Sequence, residues 1–315
     1  MIRVGTSGWS YPTGKGTWKG LFYPAAGARG RGRFDELASY AERFDTVEVN
    51  STFYRIQSPQ TALSWARRTP PGFLFSVKLF QKFTHPEMYA KSTGLDPWNL
   101  GRDDIDAFKA MLDPLAASEK VGALLAQFPP SFHDEPAARE YLDWLLETFR
   151  EYPRVVELRH ASWSDASDDL DRLLARHSAG LVLLDEPRFA SSIRIDPALV
   201  THAGVSRPAY IRLHGRNAPN WWKHDQAEDR YNYLYSKEEL TPFVEAARAA
   251  DAGGRKVFVY LNNHFSAKAA VNAAIIKADL GQDLPGEYPV AMVDRYPELA
   301  GLVRVAGPPL LRMRP

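Results

Sequence analysis

Short apolar runs alternate with longer stretches in which apolar residues recur every three or four positions, and the alternation continues along the whole chain. Eight of the runs read as strands: Ile2 to Ser7, Thr46 to Thr52, Phe73 to Leu79, Gly122 to Phe128, Arg154 to Arg159, Gly180 to Asp185, Ala209 to His214 and Lys256 to Asn262. Helical faces lie between them. Phe34, Leu37, Ala38, Ala41 and Phe44 form one, Ile105, Phe108, Met111, Leu112 and Leu115 another, and Leu142, Leu145, Leu146 and Phe149 a third. Leu240, Phe243, Val244 and Ala247, then Val271, Ala274, Ile275 and Ala278, supply two more. Ser236 followed by Glu239 predicts a capping box at the start of one of these helices.

Strands alternating with helices, without a break in composition, predict an α/β fold with a parallel sheet. Closing that sheet into a single TIM-type (β/α)8 barrel over residues 1–315 removes both of its edges, and an open doubly wound sheet is the alternative. One connection stands apart. The stretch Glu186 to Arg207, between strands six and seven, carries Pro187, Pro197 and Gly204 and no long amphipathic stripe, so an irregular connection is expected there.

Side chains on a strand alternate between faces, so residues two apart point the same way. The polar pairs at the C-terminal strand ends then line up: Gly5 with Ser7, Glu48 with Asn50, Ser76 with Lys78, Leu125 with Gln127, Glu157 with Arg159, Leu183 with Asp185, Arg212 with His214, and Tyr260 with Asn262. The intervening residues, such as Val47, Val77, Val156, Ile211 and Val259, are apolar and suit the layer between barrel and helices. The polar set is therefore expected to face the barrel mouth, where this fold places its active sites. A closed structural salt-bridge network would use the same residue types. Charges held for function should tolerate Lys78→Met or Glu48→Gln with little loss of stability, whereas members of a buried staple should not.

Composition narrows the chemistry. With 39 Lys+Arg against 38 Asp+Glu the net charge is +1, which lacks the wide basic footprint of a dedicated nucleic-acid binder. The absence of cysteine excludes disulfides, thiol nucleophiles and Cys-ligated metals. No apolar run approaches the roughly 20 residues that span a bilayer, and the first ten residues lack a signal-peptide stretch, so a cytoplasmic protein without membrane contact is expected.

At this point the segments GTSGWSY (Gly5 to Tyr11), VEVNSTFYRIQS (Val47 to Ser58), FSVKLFQKFTH (Phe75 to His85), QFPPSF (Gln127 to Phe132), VELRHASW (Val156 to Trp163), YIRLHG (Tyr210 to Gly215) and YLNNHFSAKAAVNA (Tyr260 to Ala273) can be compared with known patterns. They resemble the YecE-like family, domain of unknown function 72, over residues 1 to about 285. The resemblance implies a TIM barrel and names no activity. Its pattern maps onto Gly8, Trp9, Glu48, Asn50, Phe53, Tyr54, Lys78, Gln127, Phe128, Glu157, Arg159, Arg212, His214, Asn262 and Asn263.

Several chemistries can be weighed on these residues. Glu48, Glu157, Asp185 and His214 include enough oxygen and imidazole donors for a divalent metal, although Lys78, Arg159 and Arg212 share the mouth and would repel it. No cofactor is otherwise implied. Glu48 and Glu157 could serve as paired carboxylates for glycoside cleavage. The loop containing Gly14, Lys15 and Gly16 is not a P-loop, since no Ser or Thr follows the lysine. The expected reading is an enzyme, a hydrolase or lyase by site composition, acting on a small polar substrate with an anionic or sugar group. Glu48, Glu157 and His214 are its candidate catalytic residues, and Trp9, Asn50, Tyr54, Lys78, Gln127, Arg159, Arg212 and Asn262 its candidate binding residues. The alternative is a nucleic-acid-binding or repair-like barrel. That reading uses the loop aromatics Trp9, Tyr11, Trp18, Phe53, Tyr54, Trp163, Trp221, Trp222, Tyr231, Tyr233 and Tyr235 with a basic rim of Lys15, Lys19, Arg29, Arg31, Arg33, Lys223 and His224.

Overall fold

The computed structural model describes residues 1–25, 34–95, 101–165, 167–195, 197, 200 and 203–307. Eight parallel strands, β1 (Ile2–Ser7), β2 (Thr46–Val49), β3 (Leu74–Lys78), β4 (Val121–Gln127), β5 (Arg154–Glu157), β6 (Gly180–Asp185), β7 (Ala209–Leu213) and β8 (Val257–Leu261), pair in chain order and close into a barrel through β1 and β8. All eight strands lie where the apolar runs predict them. Several end one to three residues early, because the chain turns away into loops as soon as it clears the barrel.

The five helical faces read from periodicity become Glu36–Ala41, Arg102–Ala117, Pro136–Thr148, Lys237–Ala252 and Lys268–Asp279. Ser236 caps the fourth as a capping box, its hydroxyl accepting from Glu239 N at 3.3 Å while Glu239 Oε2 accepts from Ser236 N at 3.0 Å. Two further helices, Pro59–Arg67 and Ser167–Arg176, cover the barrel beside β3 and β6 without having announced themselves as long apolar stripes. Residues 186–195, which open the connection from β6 to β7, are irregular, as the prolines predict.

The register decides which face each residue takes. Ser7 pairs with Glu48 and Glu48 with Ser76, Lys78 pairs with Leu125, Gln127 with Glu157, and Arg212 with Tyr260, so these share the inner face. In β6 the expected parity is wrong by one residue. Leu184 pairs with Arg212, whereas Leu183 and Asp185 pair with Ile211 and Leu213 and therefore face the helices. The run GLVLLD is apolar throughout, so alternation gives no cue, and the polar Asp185 is a misleading anchor beside the equally polar Glu186.

The two ends of the barrel are built differently. At the N-terminal end, cations cap helix and loop carbonyls: Lys120 Nζ donates to Ala66 O and Thr69 O, both at 2.7 Å, and Arg154 donates to Leu146 O at 2.8 Å. Arg207 donates to Ala179 O at 2.8 Å, and Arg255 reaches Arg207 O at 2.8 Å and Pro208 O at 2.9 Å. Cations suit helix C-termini, where carbonyls are left over. Above this seal the lumen is filled by Leu74, Ala123, Leu125, Val155, Val182, Tyr210, Phe258 and Tyr260.

Candidate functional site at the barrel mouth

Above the apolar layer the inner face becomes charged. Arg212, 1% exposed, grips Glu48 with two parallel bonds, Nε to Oε2 at 2.9 Å and Nη2 to Oε1 at 2.7 Å, and Tyr210 OH adds a third donor to Oε2 at 2.7 Å. The remaining nitrogen of Arg212 donates to Glu157 Oε2 and to Gln127 Oε1, the latter at 3.1 Å. Glu157 Oε1 in turn accepts twice from Arg159, at 2.9 and 2.7 Å, and Arg159 Nη1 lies 3.1 Å from Glu186 Oε2. The result is a chain of alternating charge, Glu48–Arg212–Glu157–Arg159–Glu186, crossing the lumen from β2 to the end of β6. Paired, hydrogen-bonded charges are the form in which a dry interior tolerates ions.

Burial would raise the Glu157 carboxyl, but Arg212, then Arg159 and His214, hold it well below the usual carboxylate range. Glu186 at the end of the chain is raised instead, because burial outweighs its single partner Arg159. His214 is lowered to about 3 by burial and by Arg212. Its Nε2 faces guanidinium nitrogens of Arg212 at 3.3 Å and Arg159 at 3.4 Å, and its Nδ1 lies 2.7 Å from the side-chain amide nitrogen of Asn262, so both ring nitrogens face groups that donate and an additional proton on the ring is disfavoured.

Lys78 differs from both arginines. Its Nζ lies 3.9 Å from the centre of the Phe53 ring and, among the described residues, has no carboxylate within ion-pair distance and no hydrogen-bond acceptor. Burial, reinforced by Arg212, lowers its pKa to about 7. The inner strand ends also carry two buried polar atoms without hydrogen-bond partners, Ser7 Oγ at the end of β1 and Asn50 Oδ1 just past β2. His85 packs edge-on against the same Phe53 ring at 4.9 Å and is lowered to about 3, by burial and then by Lys78.

A model of the family described as protein of unknown function DUF72 matches residues 3–292. The chain belongs to the DUF72 family. The protein YunF of Bacillus subtilis is 28% identical over 278 residues, which cover 86% of this chain and 92% of YunF. YecE of Escherichia coli K12 is 26% identical over 190 residues, 59% of either chain. Among solved structures, a DUF72 family protein of Thermotoga maritima is 32% identical with a TM-score of 0.71, covering 90% of this chain and 100% of its own. One from Enterococcus faecalis has a TM-score of 0.74 at 24% identity, covering 91% and 99%, a likeness that shows the fold.

In this DUF72 barrel, Glu48, Lys78, Gln127, Glu157, Arg159, Arg212, His214 and Asn262 converge on one end, as their parity predicts, and Asn50 sits at the rim. Asp185 does not join them. It turns outward to accept from Arg216 at 2.9 Å and from Tyr235 OH at 2.7 Å, tying the β7 loop to the helix Lys237–Ala252 through Glu239. Glu186 takes the place expected for Asp185, and His85 is a second residue that the strand pattern does not single out, since it lies past the strand end.

The loop aromatics mostly pack on one another. Trp18, Trp163, Trp221 and Tyr235 are buried, Trp9 meets Trp65 edge-on at 5.8 Å, and Tyr11 stacks on His264 at 4.2 Å. Tyr54 and Trp222 are the large rings of the expected set left open, at 66% and 64% exposure. Arg29, Arg31 and Arg33 lie outside the described residues. A divalent metal does not fit the donors weighed for it: Asp185 faces away, Glu48 and Glu157 are saturated by guanidinium groups, and no three His, Asp or Glu among the described residues are placed to hold an ion. No helix among the described residues is long and apolar enough to cross a membrane.

Proposed function

We propose that this barrel is an enzyme acting on a small polar substrate with an anionic or sugar group, bound at the C-terminal mouth, with Lys78 as the group that meets it. The supporting observation is the contrast among the three cations aimed into the mouth: Arg212 and Arg159 are consumed by carboxylates, while Lys78 Nζ lies against the Phe53 ring and has no carboxylate within ion-pair distance among the described residues. A lysine near neutrality in a cleft is suited to proton transfer or nucleophilic work. Glu186, raised at the other end of the charge chain, is the matching proton donor, for acid and base assignments follow groups whose environments push their pKa values apart. On this reading Glu48, Glu157 and His214 serve as the fixed electrostatic floor rather than as proton carriers. Asn50, Gln127 and Asn262 contribute polar walls, and Tyr54 overhangs the mouth. A second reading, nucleic-acid binding, draws on the exposed Trp222 beside exposed Lys223.

Thermal-shift and calorimetric titration with a panel of sugar phosphates, sugar acids and their neutral parents tests the enzyme reading. At least one anionic member should raise the melting temperature of the native protein by a few degrees when present at about 100 times its Kd, and the effect should vanish in Lys78→Met. A panel in which no ligand effect depends on Lys78 would sink it.

A further inference from the structure

We infer that Lys78 forms a covalent imine with the carbonyl carbon of an aldehyde- or ketone-bearing substrate, which deepens the reading above and rests on it. The geometry is that of an inward-facing amine at the end of β3 with no carboxylate partner among the described residues. The ring of Phe53 closes one face of Nζ at 3.9 Å, and the other described groups around it are Arg212, Arg159, Glu157, Glu48 and His85, of which both carboxylates are already engaged by guanidinium donors. Register places Lys78 level with Leu125, just after β4 inserts one extra residue opposite β3 between Val121 and Leu124. Such bulges re-aim side chains beside active sites.

Imine chemistry needs an uncharged amine and partners for the oxygen that departs. Placing an ammonium on Lys78 beside two guanidinium groups, without a carboxylate of its own, is unfavourable, and the neutral amine is the form that relieves it. That amine attacks the carbonyl carbon; a C–N bond forms, the carbonyl π electrons move to oxygen, and a proton passes from nitrogen to oxygen to give a carbinolamine. The C–O bond then breaks as the hydroxyl takes up a proton and leaves as water, the nitrogen lone pair completes the C=N bond, and the resulting iminium gives the N–H proton back, so that no net proton is consumed. Nothing is oxidised or reduced, and amine plus carbonyl equals imine plus water. Ser7 Oγ at the end of β1 and Asn50 Oδ1 just past β2 are buried polar atoms without hydrogen-bond partners at the same end of the barrel.

The test uses glyceraldehyde 3-phosphate and glyceraldehyde as probes, with sodium cyanoborohydride present to reduce any imine to a stable secondary amine, followed by peptide mapping of the full-length protein. At pH 7, Lys78 should be alkylated about tenfold or more faster than exposed Lys15 and Lys223, because a lysine of ordinary pKa, near 10.4, keeps almost no free amine there. The Lys78 rate should level off just above pH 7. The readout is site-resolved in the native protein, so it does not depend on a variant folding; Lys78→Arg, which keeps the charge, should abolish the fast site. Labelling of Lys78 no faster than of Lys15 and Lys223 overturns the imine. If ligands still bind in a Lys78-dependent way in that case, the mouth reading survives without it; if neither trapping nor Lys78-dependent binding occurs, both fail.

Discussion

Two residues of the mouth have opposite energetic characters although both are charged and face inward. Glu48 is fully buried and accepts three hydrogen bonds from Arg212 and Tyr210, so Glu48→Gln leaves a guanidinium half-unpaired in a dry lumen and should cost about 3–5 kcal/mol. The tolerance that the sequence pattern alone suggests for this position is replaced by that expectation. Lys78 has no such partner, and Lys78→Met should raise stability by about 2–4 kcal/mol at pH 6. The sign follows from linkage. The folded pKa, about 7, lies below the unfolded one, so the folded state binds fewer protons between them and stability rises with pH across that window. The cost of the lysine is complete below pH 7 and fades as pH approaches about 10.4. Chemical denaturation of both variants at pH 6 and pH 9.5 checks this; a Lys78→Met gain that does not shrink at the higher pH would contradict it.

At the scale of elements, the barrel depends on close approach between strands that only glycine permits. A Cβ on Gly5 of β1 would sit 2.2 Å from Thr46 O, and one on Gly180 of β6 would sit 2.1 Å from Pro208 O. Both obstacles are backbone atoms, so the strands themselves must move. Gly5→Ala and Gly180→Ala should each destabilise by about 1–3 kcal/mol, read as a lowered melting temperature, and a neutral result at either position would show that the strands slide past each other more freely than the pairing implies. The same logic of rigid strands places the chemistry: the paired segments hold Glu48, Glu157 and Arg212 in register, while Glu186 sits one residue past β6 and His85 seven residues past β3, where the chain has left the sheet.

For the molecule as a whole, near-neutral charge is distributed with a purpose at each end. The N-terminal end uses Lys120, Arg154, Arg207 and Arg255 on leftover carbonyls, and the C-terminal end uses Arg159 and Arg212 on carboxylates, so these cations are already engaged within the fold, and the net charge is only +1. Titration of a labelled duplex and a labelled single strand should accordingly give weak or no binding at physiological salt, with what appears at low salt lost along the steep slope of counterion release. Trp222→Ala is the informative variant, since Trp221 is buried against the loop. Tight binding that persists at physiological salt and weakens in Trp222→Ala would move the nucleic-acid reading ahead of the enzyme.

Local pattern was enough to determine the eight strands and the inner face of seven of them, because alternation of period two and the short polar ends of strands are properties of neighbouring residues, whereas closure of the barrel over an open sheet is decided by the pairing of β1 with β8. It was not enough for β6, where an unbroken apolar run leaves both parities equal and only hydrogen-bonding to β7 selects Leu184 and Glu186 over Asp185. Nor could it assign the charges. Glu48, Lys78, Glu157, Arg159 and Arg212 look equivalent along the chain, and the sorting of four of them into a neutralised chain, with Lys78 left against Phe53, depends on distances between residues as far apart in sequence as Glu48 and Arg212, 164 positions. Desolvation and pairing act through those distances, so tertiary structure alone separates the charges that brace the mouth from the amine that stands open in it.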